Sequence, residues 1–276
     1  MTIQNVFIAP KTDSPEACIA YAQKHGHPLE LAGFMYPENL MKQQETLAYY
    51  QALLKEFTQP IAMHGPVFDV NPVSLDPEFK ALSRQRYVQA IECALALNSQ
   101  YLVFHSQWTP IYKMADCYQP WLQATIAFYQ ELDERYLKES NLTLVIENFL
   151  DESPRVLNDL IEGIHSPRIR ACLDIGHVNL CSSIPCCDWL DQLGVHLAYI
   201  HAHNNWGQVD DHLSFEDGTI DIEGFLNHAM QVPRNYQLVV EVLTLEGIQE
   251  SLPMIHNLTN RSSLPQLVSG MSTYLL

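Results

Sequence analysis

Ala198-Tyr-Ile-His-Ala-His-Asn-Asn-Trp-Gly-Gln-Val-Asp-Asp-His-Leu213 changes character halfway along. Its first half reads as a short buried strand, and its second half as a loop. Together they carry His201, His203, Asp210 and His212. Imidazole and carboxylate are ligands for borderline and hard divalent cations, and a strand end running into a loop can aim them at one point. A lone loop histidine is ordinarily a solvated side chain. This density of ligand groups reads instead as part of a metal site, provided other strand ends reach the same place.

Outward from this stretch, the chain alternates short apolar runs with longer helical patterns. Strands are expected at Val6–Ala9, Pro28–Gly33, Pro60–Gly65, Tyr101–Ser106, Leu142–Asn148, Ile169–Ile175, His196–His203 and Leu238–Leu243. Between them helices are expected from a Ser14 cap to His25, and over Met35–Phe57, Glu78–Asn98, Tyr118–Lys138, Pro154–Ile164, Cys187–Leu193, Asp221–Met230 and Gly247–Leu258. Successive strand–helix units with near-continuous apolar strands and no domain-sized linker predict a single (β/α)8 barrel over residues 1–276, with 261–276 as a C-terminal extension. A doubly wound open sheet would place a glycine-rich phosphate turn after the first strand, and Ala9-Pro-Lys-Thr-Asp13 has none.

Composition narrows the partners. The 276 residues suffice for one large barrel with a sizeable core. Fifteen basic residues against 32 acidic ones leave a net charge of −17, which repels nucleic acid and anionic membrane. Neutral or cationic ligands fit that field, unless bound metal inverts the local sign. No apolar run approaches the ~18 residues of a membrane span. The N-terminus lacks the basic and apolar regions of a secretory signal, so a cytoplasmic location is expected. Seven cysteines without a C-x-x-C pair agree with reduced thiols. Cys18, Cys93 and Cys172 read as core residues. Cys181, Cys186 and Cys187 read as an incidental reduced trio, with a soft-metal or redox site as the alternative.

On the expected barrel, His64, His105, Glu147, Asp174, His201 and Glu241 end strands three to eight. His177 follows three residues after Asp174, and Asp210 and His212 lie in the loop after strand seven. Active sites of such barrels form at the C-terminal strand ends. Period-two alternation puts Val103 with His105, Val145 with Glu147, and Val239 with Glu241 on shared faces. So many histidines and carboxylates at one mouth call for a divalent metal, or several.

These residues resemble the xylose-isomerase-like TIM-barrel superfamily, which includes endonuclease IV and many sugar isomerases and epimerases. The resemblance runs through Met63-His-Gly-Pro66, Val103-Phe-His105, Ile146-Glu-Asn148, Leu173-Asp-Ile-Gly-His177, His201, Asp210-Asp-His212 and Val240-Glu241. In isomerase-type members, the resemblance implies one divalent metal held by Glu147, Asp174, His201 and Glu241. Endonuclease IV members add His64, His105, His177, Asp210 and His212 and hold three zinc ions. The loops favour the first branch. Lys11 and Lys113 are almost the only cations at the mouth, and Asp211 stands where endonuclease IV has a basic residue. Trp108, Trp206 and His203 are candidate substrate contacts, together with the rings of Phe34, Tyr36, Tyr112 and Phe149.

The expectation is therefore a metal-dependent isomerase or epimerase of a small sugar or polyhydroxy carbonyl compound. Glu147 and Glu241 would exchange a proton with carbon on a metal-stabilised enediolate, with His177 orienting substrate or binding a second ion. The alternative is a multi-zinc phosphodiesterase of the endonuclease IV type. A dehydratase would use the same residues. Neither nucleic acid nor membrane is an expected partner, and a homo-oligomer is compatible with the sequence.

Overall fold

The computed structural model describes residues 3–262, so most of the 261–276 extension lies outside the described residues. Eight parallel strands close into a barrel in chain order, with the last paired to the first. They are β1 (Ile3–Ile8), β2 (Leu29–Leu31), β3 (Ile61–His64), β4 (Tyr101–His105), β5 (Thr143–Glu147), β6 (Ile169–Asp174), β7 (Leu197–Ala202) and β8 (Tyr236–Val240). Alternation along the strands makes two cores. Phe7, Ala9, Ala62, Val103, Val145, Cys172, Tyr199 and Val239 fill the barrel interior. The opposite faces, such as Leu102, Leu144 and Leu173, pack against the surrounding helices.

Those helices are α1 (Pro15–His25), α2 (Pro37–Met41), α3 (Gln43–Leu53), α4 (Pro77–Ala96), α5 (Tyr118–Leu132), α6 (Arg155–Ile164), α7 (Ile175–Cys181), α8 (Cys186–Leu193), α9 (Ile222–Gln231) and α10 (Leu245–Ser262). Ser14 caps α1 as expected, accepting from Ala17 N. None of the described helices is long and apolar enough to cross a membrane. All seven cysteines are free.

Three elements differ from the sequence reading. The helix expected over Met35–Phe57 is split. Tyr36, preceding Pro37, is held extended at φ −92°, ψ 129°, and Lys42 leaves the helical region at φ −104°, ψ 37°. The helix expected over Tyr118–Lys138 widens into a π-helical turn over Asp133–Leu137. A helix not foreseen, α7, begins directly where β6 ends, because the Asp174 carboxylate caps it by accepting from His177 N at 2.7 Å.

Candidate metal centre

Register carries the first ligands to one level. His105 pairs with Glu147 across β4 and β5, and Asp174 pairs with His201 across β6 and β7. Glu147 is the hub. Its Oε2 lies 3.2 Å from His64 Nε2 and 3.4 Å from His105 Nε2. Its Oε1 lies 3.0 Å from His201 Nδ1 and 3.4 Å from His177 Nδ1. His201 Nδ1 also faces Glu241 Oε2 at 3.1 Å and Asp174 Oδ2 at 3.8 Å.

The loop after β7 brings the remaining groups. Asp210 Oδ2 sits 3.3 Å from His177 Nε2 and 3.1 Å from His212 Nε2. His203 Nε2 lies 3.2 Å from Asp174 Oδ1, and its ring stacks on His212 with centroids 4.0 Å apart. All nine predicted ligands therefore meet, and His203, expected as a substrate contact, joins them. Gly176 is where it is because of that ring: a Cβ there would lie 2.0 Å from His203 Cε1.

Backbone and amide contacts aim these side chains. Asn148 donates to Asp174 O at 2.9 Å and accepts from Asp174 N at 2.8 Å, which ties the end of β5 to the end of β6. His177 Nδ1 is 2.8 Å from Asn148 O, and His64 Nδ1 is 3.0 Å from Gly65 O. His212 adopts a left-handed φ of 46°, with its Nδ1 3.0 Å from Glu241 O.

Burial by itself would raise the carboxyls of Glu147 and Glu241. The charges of His201 and His105 outweigh it at Glu147, and those of His201 and Lys11 outweigh it at Glu241. Both carboxyls are held well below their ordinary range. His177 is raised well above the usual histidine value despite burial, by Asp174, Asp210 and Glu147. His105 is lowered, chiefly by burial.

This donor set fits a divalent cation. Asp174 Oδ2 and Asp210 Oδ1 are buried without a hydrogen-bond partner among the described residues. Ligand atoms of His64, His105 and Glu147 lie within 4.8 Å of one another, as do those of Asp174, His177 and His203. Carboxylate and imidazole together suit zinc or manganese.

The other predicted contacts divide. Trp108 is buried against Trp121, Tyr112 and Tyr118 at 5.4–5.8 Å, in a cluster beside α5 rather than against the ligands. Trp206 is 57% exposed in the loop after β7. Phe149 does meet the ligands, stacking on His105 at 4.7 Å. Both mouth lysines are neutralised, Lys11 by Glu241 and Lys113 by Glu152.

One residue at the site, Glu30, escaped the sequence reading, and another, Lys11, was read only as a cation at the mouth. Lys11 is largely buried and lines a cavity of ≈ 200 Å³ with Glu30, Tyr36 and Asn39. Glu30 accepts at Oε2 from the Tyr199 hydroxyl and lies 3.1 Å from His201 Nε2. The available signal was a carboxylate inside the apolar run Pro28-Leu-Glu-Leu-Ala32.

Residues 20–258 match the family described as xylose isomerase-like TIM barrel, and the chain belongs to it. Among solved structures it is similar to a D-tagatose 3-epimerase-like protein, with a TM-score of 0.77 and 19% identity over 94% of this chain and 98% of that one. It is also similar to a Thermus thermophilus protein soaked with zinc chloride, with a TM-score of 0.75 and 22% identity over 94% and 99%. An uncharacterized protein of Methanocaldococcus jannaschii is 26% identical over 188 residues, which is 64% of this chain. The chain spans 62% of that relative's length.

Proposed function

We propose that this protein is a divalent-metal-dependent isomerase or epimerase of a small sugar or polyhydroxy carbonyl compound. The observation that carries the reading is the convergence of Glu147, Asp174 and Glu241 on His201 Nδ1, at 3.0, 3.8 and 3.1 Å. These four residues would hold the metal. A cation held there supplies Lewis-acid polarisation of neighbouring carbonyl and hydroxyl oxygens. Glu147 and Glu241, both kept ionised, are bases able to take a proton from the carbon beside the carbonyl and return it from the other side. Phe149 offers an apolar wall beside His105 and His177. The epimerase name of one structural neighbour and the zinc soaked into another support the same class.

A second reading, the multi-zinc phosphodiesterase, has one observation in its favour. Glu147 turns one oxygen to His64 and His105 and the other to His201 and His177, as a carboxylate bridging two ions would. Against it stands the mouth, where Lys11 and Lys113 are both paired with glutamates and offer no free grip on phosphate.

The test is incubation of the zinc- or manganese-loaded protein with a panel of ketohexoses and aldoses in D2O. Deuterium is expected to enter a carbon-bound position of at least one sugar. Metal-dependent incision of abasic duplex DNA, with no exchange into any sugar, would reverse the ranking.

A further inference from the structure

Glu30 is a buried carboxylate that the reading above leaves without a task. It is the middle residue of β2. Its neighbours Leu29 and Leu31 pack between sheet and helices, so alternation sends Glu30 into the barrel. Its register partner on β3 is Ala62, one of the small side chains of the barrel interior. Glu30 reaches across the interior to β7. There its Oε2 lies 3.1 Å from His201 Nε2 and accepts the Tyr199 hydroxyl at 3.0 Å.

An imidazole ring has two distinct nitrogens, and a partner that holds one determines which is left for a metal. The nitrogen left here is Nδ1, which faces Glu147, Glu241 and Asp174. Burying a carboxylate is costly, and Oε1 of Glu30 has no hydrogen-bond partner among the described residues to offset it. A residue kept only to fill this space would be apolar.

We propose that Glu30 is a positioning residue: it takes the Nε2–H of His201 and so presents Nδ1 to the divalent cation shared with Glu147, Asp174 and Glu241. Tyr199 steadies the carboxylate in turn. The inference rests on the metal reading above and assigns the ring orientation that this reading requires.

The experiment compares wild type, Glu30→Gln and Glu30→Ala. Affinity for the tightest-bound zinc is measured by chelator competition, and the visible spectrum is recorded with cobalt in place of zinc. Glu30→Ala is expected to lose about 10- to 100-fold in affinity and to shift the cobalt bands, as removal of a ligand's supporting partner does. Glu30→Gln keeps the acceptor and the volume. It is expected to stay within about threefold of wild type with an unchanged spectrum, a rescue that a mere filler would not require. If Glu30→Ala does not fold, Glu30→Met, of similar length but accepting nothing, is read in its place. Wild-type affinity and spectrum in the Ala or Met variant would overturn the positioning role alone. Failure of the wild-type protein to hold zinc would instead overturn the metal reading, and this role with it.

Discussion

Glu147 at the end of β5 and Asp151 in the loop that follows are both fully buried, four positions apart, yet their environments act in opposite directions. Glu147 has four histidine nitrogens within 3.4 Å. Asp151 accepts from the Ser106 hydroxyl at 2.7 Å and from Phe149 N at 3.0 Å. Burial disfavours the charge of both. The imidazoles overcome it at Glu147, whereas two neutral donors do not at Asp151, whose carboxyl is pushed up to about 6. Histidines surround the buried acid at the strand end, whereas neutral donors hold the one in the loop. Asp151 instead clips the loop after β4 to the loop after β5.

The comparison breaks first at its charged end. Glu147→Gln keeps the shape but removes the charge, and Glu241→Gln does the same on the facing strand. Each is expected to lower turnover by at least about 10²-fold while the melting curve stays cooperative, since a general base is lost. Steady-state kinetics on the sugar found by deuterium exchange decide it. Turnover within about tenfold of the parent would remove both carboxylates from the proton-transfer role.

Asp151 sharpens the other end through pH. Its folded pKa of about 6 lies above the ordinary 3.8, so the fold prefers the protonated form. That contribution is fully present below 3.8 and is lost as pH rises through about 6. Asp151→Asn, neutral throughout and still able to accept from Ser106 and Phe149, should exceed wild type at pH 7 by up to about 3 kcal/mol. Near pH 3 the gain should vanish. Denaturant titrations of both proteins at the two pH values check this, and a gain independent of pH would show that the Asp151 carboxyl is not raised by the fold.

The smallest expected effect separates the histidines around the hub. His64 and His105 face one oxygen of Glu147, and His201 faces the other. His64→Ala or His105→Ala is expected to cost one zinc ion when zinc is abundant, yet to keep turnover within about tenfold, because the remaining ion keeps its four ligands. Metal content and rate are measured side by side. Loss of all activity along with one metal would show that the cluster works as a unit, in favour of the phosphodiesterase reading.

Much of this was legible in the residues. The strand–helix alternation predicted the barrel, and period two placed Val103, Val145 and Val239 in the interior beneath His105, Glu147 and Glu241. Six of the predicted ligands lie at or just beyond a strand end, because a single polar residue closing an apolar run has one direction to point. His177 lies in the first turn of α7, and Asp210 and His212 are brought in by the loop after β7. The rings were harder. Trp108 and Phe149 both follow strand ends, but one turns into the helix layer and the other onto His105. Local sequence supplies the ring without its direction. The break at Lys42 was missed because the apolar spacing continues through it, whereas Pro37 marks the earlier break at Tyr36.

By itself, then, the sequence determined the eight-stranded closure and the level at which the ligands stand, because both follow from patterns local to each strand. Only the tertiary structure decided which oxygen meets which nitrogen. His201 and Glu30 are 171 positions apart, and nothing in either segment encodes the other. The two come into contact because closure of the sheet sets β2 and β7 facing one interior. Lys11 meets Glu241 for the same reason, since β8 pairs with β1 only when the barrel shuts. Contacts across a closed interior depend on the geometry of the whole ring of strands, and that geometry is set by packing rather than by the pattern of any one segment.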